Sequence, residues 1–347
     1  MNVPDDCLER VMYWQMRFEK RRKGMKRKAL ALLVGIGMMA GLAVGAHAEE
    51  AYKVGVCLPA RDQYWTTFEL GLNDQFDAAG IEYQTVVAGD QGEDVSSQIS
   101  QVQTFSNNGF DAVIIGMATG GSAADFLQNT GDMKVIFFNR AAEADALDGT
   151  NSIYIGMAEY DAGYAQGEWL ANYFNEAGKT EVKGLMFLGV LGQDSVVGRT
   201  QGAKDALEAG GITVDWIFEQ TGEWDRTKAM NLFTQFLGTG EEFDFVCSNN
   251  DEMALGVVEA CTSSNIDIDF PIVGVDATEV GCNAVKEGTM AMTVNQDPKG
   301  QAAVCVEALQ AMLSGEAPEG LSEENKIATA AAPITPENVD EALSVFE

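Results

Sequence analysis

The sequence has 347 residues, with 22 Lys/Arg against 53 Asp/Glu and a formal net charge of −31. So acidic a chain repels nucleic-acid phosphates and anionic membranes. Its one histidine, His47, falls in an N-terminal leader, so the rest of the chain cannot use Ser-His-Asp or Cys-His catalysis or a histidine-containing zinc site.

The leader comes first in the chain. Met25-Lys26-Arg27-Lys28 is basic, Ala29 to Ala43 is apolar, and Ala46-His47-Ala48 matches a small-x-small cleavage signal. That order reads as a secretory signal peptide whose apolar part is too short to span a membrane. Cleavage is expected after Ala48, with the product exported. Nine of the 22 Lys/Arg and four of the 53 Asp/Glu lie in those 48 residues, leaving 299 residues with 13 Lys/Arg against 49 Asp/Glu, a net charge of −36. This length suits two lobes of about 150 residues each. Five cysteines remain, Cys57, Cys247, Cys261, Cys282 and Cys305, an odd number with no C-x-x-C. Cys57 and Cys247 sit in apolar runs, where free buried thiols are common, and no disulfide is expected.

From Lys53 strands and helices alternate. "KVGVCLPA" reads as a buried strand, "YWTTFELGLNDQFDAAG" as a helix ended by Gly80, "IEYQTVVAG" as a strand, and "EDVSSQISQVQTFSNNG" as a helix closed by Gly109. "DAVIIGMA", "KVIFFNR" and "IYIGM" are further strands. A second series follows: "KGLMFLGVLG", "TVDWIFEQTG", "DFVCSNN", "PIVGVDA" and "AMTVNQD", with helical segments between. The strands are short apolar runs, and the helices space apolar residues by three and four, as in Phe68, Leu72 and Phe76. The alternation predicts an α/β fold of two similar lobes, each with a parallel sheet covered on both faces.

In an open parallel sheet, ligands bind beyond the carboxyl ends of the strands. Those ends carry Arg61-Asp62-Gln63, Asn139-Arg140, Gln193-Asp194, Trp224-Asp225, Asn249-Asn250-Asp251, Asp276 and Asn295-Gln296-Asp297, with Trp65 close by. Planar hydrogen-bonding groups and aromatic faces converging on one cleft suit a sugar. Asn, Asp and Arg can pair with vicinal hydroxyls, and an indole covers the C–H side of a pyranose. Singly, each polar residue is as well explained as a helix cap, Asp251 and Asp225 above all. Their joint placement favours the cleft.

At these residues the chain resembles a known family, the periplasmic sugar-binding proteins of the galactose/glucose and ribose type. The resemblance runs from Lys53 to the C-terminus, through "VIFFNRAAE", "IYIGMAEYDAGYAQGEWLA", "GEWDRTKA", "NNDEMALGVVEA", "IVGVDATEVGCNAVKEGTMAMTVNQDP" and "TPENVDEAL". It implies a type I periplasmic binding protein fold, two Rossmann-like lobes with parallel sheets joined by a three-crossover hinge. The N-terminal lobe would take 49–157 plus 296–331, and the C-terminal lobe 158–295 plus 332–347. It implies sugar contacts at Asn139, Arg199, Trp224, Asn250, Asp276 and Asn295, and a stacking aromatic at Trp65. Gln193 and Ser195 stand where the galactose/glucose branch has His and Asp, and Gln63, beside Asp62, stands where it has a contact Asp; with Arg140 these complete the expected site. "NEAGKTEVKG" lacks the Asp-x-Asn-x-Asp-Gly pattern of that branch's calcium loop, so no metal and no cofactor is expected.

The implied function is non-enzymatic: a galactose/glucose-like monosaccharide is captured and delivered to a membrane ABC transporter permease, with a chemoreceptor as a second partner and no nucleic acid. The protein is expected to be a monomer. Two alternatives stay open on the residues alone. The ligand core of a sugar-responsive transcription regulator shares the fold, but the leader and the acidity weigh against it. An exported carbohydrate-active enzyme could use paired carboxylates such as Asp251 and Asp276, though no nucleophile elbow, phosphate loop or dinucleotide fingerprint is present.

Overall fold

A computed structural model describes residues 51–88 and 94–346. The expected leader over 1–48, with its cleavage after Ala48, lies outside them. No helix among the described residues is long and apolar enough to cross a membrane.

The first sheet contains β1 (Lys53–Leu58), β2 (Glu82–Val87), β3 (Ala112–Gly116), β4 (Lys134–Phe138), β5 (Ser152–Met157) and, from far downstream, β11 (Lys326–Thr329). Its order is β11-β5-β4-β3-β1-β2, and every pair is parallel. Every residue of β3 and β5 is buried, whereas the edge strand β2 is only half-buried. Continuous apolar runs therefore become central strands with both faces covered.

The second sheet contains β6 (Glu181–Leu188), β7 (Thr213–Thr221), β8 (Phe245–Ser248) and β9 (Ile272–Val273), parallel in the order β7-β6-β8-β9. Val273 and Asp276 bridge in parallel to Met292 and Asn295. Those bridges extend the sheet to β10 (Thr293–Asn295), which pairs antiparallel with β12 (Ala332–Ile334). The chain thus passes between the two sheets three times: after β5, after β10, and between β11 and β12.

The helices that position the site start at strand ends. They are α1 (Gln63–Ala79), α4 (Glu159–Glu176), α5 (Asp194–Ala209), α6 (Arg226–Leu237), α7 (Asp251–Ser264), α8 (Glu279–Glu287) and α9 (Pro298–Leu313); α2 (Val95–Asn107), α3 (Ala123–Leu127) and α10 (Val339–Leu343) lie elsewhere. Asp62, Asp225, Asn250, Thr278 and Asp297 cap α1, α6, α7, α8 and α9, each accepting a backbone N–H three residues on.

One packing detail governs the site. Gly163 and Gly167 of α4 face α5, and Gly198 and Gly202 of α5 face α4. A Cβ at Gly163 would lie 1.9 Å from the Arg199 carbonyl oxygen, and one at Gly202 would lie 2.1 Å from that of Tyr160. Only glycine lets the two backbones touch, and this contact brings Glu159, at the start of α4, beside Arg199.

Candidate ligand-binding site

Arg199 is the centre of the second-sheet half. Its side chain is 4% exposed. Nε donates to Glu159 Oε2 at 2.7 Å, NH1 donates to the Asn249 carbonyl at 2.7 Å, and NH1 lies 3.6 Å from Asp276 Oδ1. Gln296 Nε2 donates to the same Asp276 oxygen. The Trp224 ring centroid is 5.7 Å from the Arg199 guanidinium carbon. The Trp224 indole lies against Gly189, where a Cβ would come within 2.0 Å of the ring, and its Nε1 donates to Gln193 Oε1 at 2.9 Å. Burial raises the carboxyls of Glu159 and Asp276 despite the opposing pull of Arg199, and raises Asp276 furthest. Two buried acids thus share one buried cation, a cluster ready to bond a neutral polar ligand.

The first-sheet half is built on Tyr64. Its hydroxyl donates to Gln301 Oε1 at 2.6 Å and accepts from Asn139 Nδ2 at 3.2 Å. The Tyr154 hydroxyl holds the Asn139 carbonyl at 2.8 Å. Burial raises the Tyr64 phenol, and the charges of Asp276 and Glu159 raise it further, which ties this ring to the Arg199 cluster. Arg140 NH1 donates to the carbonyls of Met117, at 2.8 Å, and Ala118. The Ala141 N–H lies 3.5 Å from Asp194 Oδ1, a direct link between the two halves.

Several strand-end residues have left-handed backbones that only glycine adopts easily. Asn139 has φ 67°, Trp224 φ 65° and Asp276 φ 125°. Such conformations cost about 1–3 kcal/mol each and gather at functional sites. Buried side-chain atoms without a hydrogen-bond partner among the described residues are four oxygens, of Gln63, Asn73, Glu159 and Gln296. Glu159 Oε1 and Gln296 Oε1 belong to the Arg199–Asp276 chain. Both are acceptors, so a ligand that satisfies them must donate, as a hydroxyl does.

The expected residues divide unevenly. Asn139, Gln193, Arg199, Trp224 and Asp276 join the network just described. Ser195 is buried in the first turn of α5. Asn250 is buried, with its side-chain oxygen used to cap α7. Asp62 is exposed and caps α1, and Gln63 follows with one oxygen unpartnered.

One expectation is corrected. Trp65 is 4% exposed within the first-sheet core, edge-on to Tyr64, Phe68 and Phe138, with its ring over Gly116. Successive helical residues point about 100° apart, so the start of α1 sends Tyr64 to the polar groups and Trp65 into the core. Asn295 spends its side-chain oxygen on the Asp297 N–H at 2.6 Å, and its neighbour Gln296 reaches Asp276 instead. Adjacent residues leaving a strand face opposite ways. Sequence reasoning also missed Glu159. Its only signal was an acid following the apolar run "IYIGM", where the chain leaves the first sheet.

The family model of the periplasmic binding protein domain matches residues 54–317. The chain belongs to the periplasmic binding protein family. It is 28% identical over 296 residues to a protein assigned as rhizopine-binding in Rhizobium meliloti, covering 83% of this chain and 92% of that one. It is 26% identical over 284 residues to the ribose import binding protein of Haemophilus influenzae, covering 80% and 91%. Among solved structures, an ABC transporter solute-binding protein of Bacillus halodurans with bound myo-inositol superposes with a TM-score of 0.73 at 28% identity, covering 84% and 97%. The fold of this periplasmic binding protein is type I, the fold of these sugar-binding relatives.

Proposed function

We propose that this protein captures one neutral polyhydroxylated ring between its two sheets and delivers it to a membrane ABC transporter permease. The observation that carries the reading is the buried Glu159–Arg199–Asp276–Gln296 chain, which leaves two acceptor oxygens unpartnered beside it. A hydroxylated ring supplies the donors those oxygens need and the acceptors that Arg199 and Asn139 need. The half-buried Trp224 ring gives it an apolar face. Relatives named for ribose, galactose and xylitol, and the myo-inositol complex, support this ligand class.

A galactose/glucose-like monosaccharide is the specific candidate, with a cyclitol of the same size as the second reading. The solute-binding protein of Bacillus halodurans with bound myo-inositol, 28% identical to this chain, supports the second. The lobes would be 49–157 plus 296–331 and 158–295 plus 332–347, closing over the ring. Release in the periplasm after cleavage at Ala48, action as a monomer, and a chemoreceptor as second partner belong to the same proposal.

The test is thermal unfolding with D-galactose, D-glucose, D-ribose, D-allose, xylitol and myo-inositol. A ligand at about 100 times its Kd adds about 2.7 kcal/mol of stability. One or more should raise the melting temperature and be recovered chemically unchanged. No shift from any of them overturns the polyol reading, and turnover of a bound sugar overturns the binding-protein reading.

A further inference from the structure

We infer that Asp251 is a positioning residue for the ligand: its carboxylate holds the turn Asp276–Thr278 in a strained conformation that aims Asp276 into the site. The inference rests on the reading of Asp276 as a ligand contact.

Asp251 opens α7 with its side chain fully buried, and it makes no hydrogen bond to the proposed contact residues. Its carboxylate bonds Thr278, two residues beyond Asp276, and Thr293 on β10, which holds Ala277. Oδ2 accepts from the Thr278 N–H at 2.9 Å and from its hydroxyl at 3.1 Å. Oδ1 accepts from the Thr293 hydroxyl at 2.6 Å, and that hydroxyl in turn accepts from the Ala277 N–H at 3.2 Å. The Asp251 N–H donates to the Val275 carbonyl at 2.7 Å. One residue therefore grips the chain at 275, 277 and 278 and leaves 276 between.

The gripped turn would not hold itself. Asp276 has φ 125° and Ala277 φ 47°, neither comfortable for a residue with a Cβ. The surroundings also reserve space for this carboxylate. A Cβ at Gly274 would come within 2.4 Å of Oδ1, and one at Gly281 within 2.2 Å of Oδ2. A helix cap needs one acceptor; here two oxygens meet three donors between two glycines.

The experiment is a double-mutant cycle of Asp251→Asn and Asp276→Asn, with myo-inositol and D-galactose as probes in calorimetry on folded protein. Asp251→Asn should weaken binding by at least about fivefold, the scale of a lost internal hydrogen bond. If Asp251 acts through Asp276, the double variant should bind no more than about twofold worse than Asp276→Asn alone. Additive losses, or an unchanged affinity in Asp251→Asn, overturn the inference.

Hydrogen exchange on ligand-free protein separates this outcome from a failure of the sugar reading. The Ala277 and Thr278 amides should exchange at least about tenfold faster in Asp251→Asn, while the amides of α4 and α5 keep their rates. Unchanged exchange at 277 and 278 overturns the inference, whether or not either sugar binds. Should Asp251→Asn fail to fold, Thr293→Val removes the link to Ala277 with little change of volume, and the same two outcomes apply to it at Ala277.

Discussion

At the second sheet the strand ends meet in a charged cluster, with Arg199 bonded to Glu159 and Asn249 and facing Asp276. At the first sheet a neutral chain runs from Gln301 to Tyr64 to Asn139, and the one charged group beside it, Arg140, is spent on the backbone carbonyls of Met117 and Ala118. Ionised groups are costly to bury and to rearrange, so they sit where two helices touch through glycines and cannot drift. Neutral groups lose less when they move. The comparison teaches that a binding site can divide its labour: one side fixes the strong bonds in advance, and the other adapts to the shape of the ligand.

The strongest way to break this comparison is Arg199→Ala. It leaves Glu159 and Asp276 buried without their cation, and loss of one partner of a buried ion pair costs about 3–5 kcal/mol. Urea unfolding should show that drop together with loss of sugar binding. A change near zero would mean that the cluster is not braced.

Trp65→Ala sharpens the first-sheet side. Deleting a buried indole costs about 3–5 kcal/mol of stability, so the melting temperature should fall while the sugar affinity of the folded fraction holds. Lost affinity with an unchanged melting temperature would return this indole to the ligand.

Asp276→Asn comes next in size. Loss of a charged hydrogen-bond partner costs about 1.5–3 kcal/mol, or roughly tenfold to a hundredfold in affinity. Calorimetry on folded protein should find it. Unchanged affinity with lowered stability would make the Arg199–Asp276 contact a brace alone.

Tyr64→Phe should be the mildest change. Removing one neutral hydroxyl costs about 0.5–1.5 kcal/mol, a few-fold in affinity. A loss as large as that of Asp276→Asn would erase the distinction between the two halves.

The fold was legible because its signals are local. Runs such as "AVIIG" are long enough for a strand and too apolar for a surface. The site was legible as a set of strand ends, which any parallel sheet gathers on one edge. It was not legible in phase. At Tyr64 and Trp65, and again at Asn295 and Gln296, the neighbouring residue joins the polar network, because a one-residue rotation at an element's start is set by packing. Glu159 was hidden for another reason. Its importance comes from the crossing of α4 and α5, and glycines in two separate segments reveal that crossing only when they meet.

All five cysteines of the described residues are free and buried. Burial pushes the thiols of Cys57, Cys247 and Cys282 up to about 12 and that of Cys261 to about 11, and raises Cys305 as well. Thiolate is the reactive form, so burial protects these thiols from oxidation in the folded protein. An unfolded chain loses that shelter and exposes five ordinary thiols, free to cross-link in wrong pairs. In an oxidising medium, unfolding is then a one-way step, and the working life of the molecule is set by how seldom it opens, a rate and not an equilibrium.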